Sequence, residues 1–222
     1  MSAQKIFATV LLSSVAGVCA ACAAQPQPVP HEAEYITIKV VADEENLEQQ
    51  ILGDLYTEAL IRRGHESYVE LTGKDASRIS QLEEGRGDLA IGCTGEFLNR
   101  LNPSLAAELS AEYQAAKAAG IDPNDGTWRD KIYQAMVASL PDTLAASNPS
   151  NATGCANYAG PELPLNVVPI FRETALHRHN RDTMNIVSGS INDKDLRRLY
   201  GDTHDVLTAR PRAVELLDSY GI

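Results

Sequence analysis

Residues 36–101 alternate between two hydrophobic periods, and that alternation restricts the fold more than any other feature of the chain. Residues 36–42 are a short β-branched run bounded by polar residues and read as a strand. Asp43-Glu44-Glu45 puts negative charge where the free N–H groups of a helix start favour it. Leu47, Ile51, Leu55 and Ala59 recur every four residues, with Leu52, Tyr56 and Leu60 beside them. That spacing makes one broad apolar face on a helix of about five turns. Arg62-Arg63 suits its last turn, and Gly64 the left-handed position that closes it. Residues 68–71 read as a second strand. Asp75 is placed to cap a short helix through Ile79 and Leu82, ended by Gly85 or Gly87. Residues 88–93 are a third strand, followed by a turn at Thr94-Gly95 and the segment 96–101. Helical crossovers between successive strands imply parallel pairing in a layered α/β domain. Ligands of such sheets sit beyond the carboxyl ends of strands, which here means 42–49, 72–75 and 93–96.

The chain begins with a different kind of segment. Lys5 is the lone charge before an apolar run at 6–18, which is too short and too soon followed by polar sequence to span a bilayer. Cys19-Ala20-Ala21-Cys22 puts small residues before Cys22, as in a lipoprotein signal whose acylated residue is Cys22. The alternative is an ordinary secretory signal cleaved nearby; both export the protein. Residues 1–21 are therefore set apart from the fold. Residues 22–34, with three prolines at 26, 28 and 30, form a semi-rigid tether to the membrane surface. Loss of 1–21 removes one lysine and no acid, so 18 basic and 30 acidic residues remain, a formal charge of −12. A nucleic-acid binder needs a basic footprint, and this chain has none.

Beyond residue 101 the pattern loosens. Residues 103–120 are an alanine-rich helical segment, 122–126 a turn cluster, and Trp128, Ile132, Met136 and Leu140 have helical spacing. Residues 141–161 lack apolar periodicity and read as a long ordered loop. Residues 165–171 return to strand character, with Pro169 making an edge strand, an interrupted strand or a crossover between lobes. Residues 183–187 start a helix or a strand, 192–200 are helical, 203–208 form a short extended piece, and 211–220 a closing helix. The resulting division is 35–101 as the first part of lobe one, 102–164 as a reduced second lobe with its long loop, and 165–222 as a return segment.

No signature of catalysis or of a metal centre appears. His31, His65, His177, His179 and His204 have no ligand spacing, and no nucleophile elbow, phosphate loop or dinucleotide fingerprint occurs. The expectation is a non-enzymatic protein with no cofactor and no metal; a hydrolase using two carboxylates, of the kind paired at Glu44-Glu45 and Glu83-Glu84, is the alternative that spacing in sequence leaves open. Tyr68, Tyr113, Trp128, Tyr133 and Tyr158 are the aromatics an inter-lobe cleft could use; packing is the competing role for each.

Leu47-Glu48-Gln49-Gln50-Ile51-Leu52, Leu82-Glu83-Glu84-Gly85-Arg86-Gly87-Asp88 and Gly92-Cys93-Thr94-Gly95 follow one another in an order that carries a resemblance. They are similar to the Thr-Glu-Gln-X-Ile-Leu, Leu-X-X-Gly-X-X-Asp and Glu-Tyr-Thr-Gly elements of substrate-binding proteins of glycine betaine, choline and carnitine importers. Residues 166–172 and 185–192 resemble that family's return segment more loosely. The resemblance covers about a third of the chain well and another quarter loosely. It implies an α/β fold of the periplasmic-binding-protein type II kind, with one well-formed lobe and a shortened second one. It also implies a monomeric extracytoplasmic binding protein that carries a small quaternary-ammonium or zwitterionic solute to an ABC permease. Gln49 and Thr94 become expected polar contacts, and Tyr113, Trp128 and Tyr158 expected aromatic ones, since a quaternary ammonium is recognised by aromatic faces. Cys93 replaces the family's aromatic, which favours the alternative of an envelope lipoprotein using a reduced fold for protein contact or regulation. With Cys22 committed to lipid, Cys93 and Cys155 remain in an oxidising compartment and are expected to pair; two buried thiols are the alternative.

Overall fold

Period-two alternation sorts the strand side chains onto two faces, and each face carries its own layer of helices. The computed structural model describes residues 37–73, 77–121, 126–201 and 206–222. Its strands are β1 Ile38–Asp43, β2 Ser67–Thr72, β3 Leu89–Cys93, β4 Leu144–Ala146 and β5 Val167–Arg172. They form one sheet in the order β2-β1-β3-β5-β4. β1 pairs in parallel with both β2 and β3, as the crossovers require, whereas β5 is antiparallel to β3 and to β4. The helices are α1 Leu47–Arg62, α2 Arg78–Glu83, α3 Thr94–Leu101, α4 Pro103–Ala118, α5 Gly126–Ala138, α6 Arg178–Ser190, α7 Asp193–Tyr200 and α8 Val206–Tyr220.

Val40, Leu89, Ile91, Val167 and Phe171 face a core built with α1, α6, α7 and α8, where Leu55 and Leu60 are fully buried. Their strand neighbours Val41, Ala90, Val168 and Ile170 face the opposite core, built with α2, α3, α4 and α5. Each fully buried side chain of this size contributes about 1.5–3 kcal/mol relative to exposure, so the two faces together hold the sheet. This is an open mixed sheet flanked by helices. Among the described residues no helix is long and apolar enough to cross a membrane.

Several local expectations shift. α1 is capped by Asn46, whose side chain accepts from Gln49 N, and Gly64 takes φ +86° beyond the cap at Arg63. α2 is capped by Ser77; Asp75, Cys22, the signal and the tether, and the 122–125 part of the turn cluster lie outside the described residues. Thr94-Gly95 is no turn: β3 runs straight into α3. The 183–187 stretch lies within α6, and of the 203–208 stretch expected to be extended, 206–208 opens α8 while 203–205 lies outside the described residues. Pro169 stands in an interior strand. It faces Ile91 of β3, and Ser147, just past the end of β4, donates to its carbonyl at 3.1 Å. Its missing N–H therefore falls where the β4 ladder has already ended. In the 102–164 segment, expected to form a reduced second lobe and a long loop, Leu109, Tyr113, Trp128, Ile132 and Met136 share one core with residues of β1, β3 and β5. From residue 37 on, the described residues form one compact unit.

Candidate functional site

The carboxyl ends of β1 and β3 open into a cavity of about 510 Å³, lined among others by Asp43, Glu48, Gln49, Glu96, Arg100 and Tyr158. Its first wall is the turn between β1 and α1. Gln49 Oε1 accepts the Asp43 backbone N–H at 3.0 Å, and Gln50 Nε2 donates to the carbonyls of Asp43 and Glu44 at 3.0 and 2.8 Å. Two adjacent glutamines thus fix the turn from both sides, and Gln49 enters the cavity lining with its carbonyl oxygen already engaged. Asp43 itself holds the turn through Oδ1, which accepts from Glu45 N at 2.9 Å.

The second wall is the connection between β4 and β5, residues 147–166. Three donors at the start of α3 grip it. Thr94 N donates to Asn166 O at 3.0 Å, Thr94 Oγ1 to Pro164 O at 2.9 Å, and Gly95 N to Pro164 O at 3.1 Å. A Cβ at Gly95 would come within 2.8 Å of Leu163 Cβ and 2.9 Å of Pro164 O, so only glycine permits this approach. Glu48 reaches the same connection from α1: its carboxylate accepts the successive N–H groups of Cys155 and, at 3.2 Å, Ala156. Cys155 has φ +57°, rare for a residue with a side chain, and the paired N–H groups make a small anion cradle. A Cβ at Gly154 would lie 2.5 Å from Glu48 Oε1, which keeps that position a glycine. Cys155 is disulfide-bonded to Cys93, S–S 2.05 Å.

Beneath the cavity Arg78 is buried. Its Nη2 meets Glu96 Oε1 at 2.5 Å, Nη1 donates to Ile91 O, and the guanidinium lies 5.0 Å from the Phe97 ring centroid. Glu96 Oε2 also touches Cys155 Sγ at 3.3 Å, a contact and not a donation, because a disulfide sulfur carries no proton. Glu48, Cys93 and Cys155 bring three ligand-type atoms within 4.8 Å of one another, but the disulfide leaves no thiolate to coordinate a cation. Arg100 lines the rim without an ion pair among the described residues.

The expected contacts are therefore divided. Gln49 and Tyr158 line this cavity. Thr94 is fully buried, its hydroxyl given to Pro164. Tyr113 and Trp128 pack together at 5.2 Å between centroids in the core beneath α4 and α5, and Tyr113 lines a different cavity. Tyr68 is exposed on the edge strand β2. Asp43, Glu48 and Glu96 fall inside the strand-end stretches 42–49 and 93–96 without having been singled out, and Gln50, Arg78 and Arg100 lie outside them. The acidic Asp43-Glu44-Glu45 run and the Glu48-Gln49-Gln50 triplet were the signals available.

Tyr158 is pushed up to about 12 by burial, with the Glu96 carboxylate adding to it. Burial raises Tyr56 and Tyr200 as well, Glu48 adding to the effect at Tyr200. A phenol raised above its unfolded value stabilises the fold fully below that value and loses the contribution as pH climbs through the folded one. The unfolding midpoint should therefore fall as pH rises above about 10, the ordinary tyrosine value. Tyr158→Phe should fall less steeply, since the Tyr158 hydroxyl has no hydrogen-bond partner among the described residues. Equal alkaline slopes for the two proteins, followed by circular dichroism, would refute this account.

No family model matches the chain, and no curated protein does. Among solved structures the chain is similar to apo YehZ from Escherichia coli, with a TM-score of 0.57, 13% identity, and coverage of 83% of this chain and 99% of that one. At that identity the likeness is one of fold, and the open mixed sheet flanked by helices is consistent with a periplasmic-binding-protein-like architecture.

Proposed function

We propose that the chain is an extracytoplasmic solute-binding lipoprotein, anchored through Cys22, that holds a small zwitterionic or quaternary-ammonium solute and delivers it to an ABC importer. The observation that carries this reading is the cavity itself. It lies beyond the carboxyl ends of two parallel strands, and Asp43, Glu48 and the Arg78-paired Glu96 share it with Arg100, a guanidinium with no ion pair among the described residues. The acids favour a cationic end and Arg100 a carboxylate, with Leu52, Ile91 and the Tyr158 ring as apolar lining. The likeness of fold to YehZ supports a general solute-binding, transport-associated role. The action is binding and docking, with no covalent step.

A melting series with glycine betaine, choline and carnitine tests it. A true ligand at a hundredfold over its Kd raises the unfolding free energy by about 2.7 kcal/mol. Gln49→Ala should bind that ligand about tenfold less tightly by calorimetry, because the Asp43 N–H loses its acceptor and the cavity wall loosens. Equal affinity in the variant would remove Gln49 from the site. For the anchor, Cys22→Ser should abolish incorporation of labelled fatty acid, and persistent labelling would overturn acylation at that residue.

A second reading, an envelope lipoprotein that uses this fold for protein contact, is favoured by one observation. Among the described residues a single sheet is present and Tyr158 is the one aromatic lining the cavity. A flat melting series across all three solutes would leave that reading standing.

A further inference from the structure

A second cavity, about 670 Å³, shares no lining residue with the first, although both border the 147–166 connection. Its lining is amphipathic: Tyr113, Leu163 and Leu165 are apolar, while Arg129, Asp193 and Asn166 supply charge and polarity. Arg129 lies on α5, and its Nη1 donates to Asn151 Oδ1 at 2.6 Å and its Nε to Asp130 Oδ1 at 3.0 Å. Nη2 has no partner among the described residues. Asp193 opens α7, and its Oδ1 accepts both the backbone N–H and the hydroxyl of Thr153, at 2.7 and 2.8 Å. Its Oδ2 is free of partners among the described residues. Asn166 is 7% exposed and donates Nδ2 to Ser150 O at 3.1 Å. Its Oδ1 has no partner among the described residues, so a buried side chain presents an unused acceptor in this cavity.

The two charged groups are held to the same piece of chain, Arg129 to Asn151 and Asp193 to Thr153. Thr153 forms an isolated antiparallel bridge to Asn166, and Asn151 stands at a bend two residues before it. Two residues of chain span at most about 7 Å. A cation and an anion thus line one cavity, tied two residues apart on one connection, each with a hydrogen-bonding atom left over among the described residues, and Leu163 and Leu165 line it with them.

We propose that this cavity binds a small linear ω-amino acid. Its carboxylate pairs with Arg129 Nη2, its primary ammonium donates to Asp193 Oδ2 and Asn166 Oδ1, and its methylenes lie over Leu163 and Leu165. A primary ammonium supplies the donors those two oxygens lack, which a quaternary one cannot. This site stands apart from the one assigned to the first cavity.

Calorimetry of the mature protein with glycine, β-alanine, γ-aminobutyrate and ε-aminocaproate is the test. Glycine is too short to bridge the two charges, so saturable binding should appear and strengthen toward the longer members. Arg129→Gln and Asp193→Asn should each weaken it by about tenfold or more, as the loss of a charge-assisted bond does. Asparagine keeps an acceptor for Thr153, and the melting midpoint reports whether α7 survives; where it does not, Arg129→Gln decides alone. Absence of saturable heat across the series, or unchanged affinity in Arg129→Gln, overturns the proposal. Loss of the signal in Arg100→Gln with Arg129→Gln unaffected would also overturn it, by placing the ligand in the first cavity and leaving the proposed function intact.

Discussion

Reduction of the Cys93–Cys155 bond is expected to lower the unfolding free energy by about 4 kcal/mol, the chain-entropy value for a loop closed across 62 residues. Cys155→Ser should do the same with less disturbance than a change at Cys93, which is fully buried and remains there as a small apolar thiol. The fold should persist without the bond. Ser150 N still donates to Val167 O, Gly154 N to Leu165 O, and Glu48 still accepts from Cys155 and Ala156. Urea melts should therefore show one cooperative transition at a lower midpoint. The slope should steepen, because an unfolded chain without the crosslink exposes more surface. An unchanged midpoint would mean that the unfolded ensemble already keeps the two segments together.

Glu96→Ala should cost about 3 kcal/mol, the second large effect, because it strands a buried cation. The Arg78 side chain is 7% exposed, and without Glu96 it keeps, among the described residues, only the Ile91 carbonyl and the Phe97 ring. Glu96→Gln retains an acceptor and should cost less than half as much. Combining Glu96→Ala with Arg78→Met should recover most of the loss, since an apolar replacement of a buried pair is close to neutral. A loss below about 1 kcal/mol for Glu96→Ala would show that water reaches the guanidinium from the cavity and screens it.

The first half of the fold was legible because its determinants are local. The four-residue recurrence from Leu47 to Ala59 defines α1, and the β-branched runs on either side of it define strands that crossovers force to be parallel. Helical spacing at Trp128, Ile132 and Met136 also read correctly as a helix, but spacing cannot tell which surface a helix covers, and this one packs on α3 and α4 in a core shared with the strands. The site was legible only in part, for the same reason. Gln49 stands early on α1, a few residues past the end of β1, and could be placed by topology. The partners of Glu48 and Thr94 lie more than a hundred and about seventy residues away, in a segment with no periodicity to read. The backbone of Cys155, left-handed at φ +57°, has no marker in the sequence, since cysteine carries no preference for that region. Tyr113 and Trp128 look alike as cage or core residues until their neighbours are known.

The antiparallel placement of β5 between β3 and β4 has an architectural consequence. The chain leaves the sheet at Ala146 and rejoins it at Val167 on the adjacent strand, so the two exits lie on neighbouring strands. A connection anchored on neighbouring strands can be lengthened with little thermodynamic resistance, since each doubling of its length costs only about 0.6 kcal/mol. The 147–166 segment itself is not dispensable, because Ala152 and Leu163 belong to the two cores and Cys155 carries the disulfide, but its exposed residues Ala159 and Gly160 are a splice point where a longer insert would change no strand register.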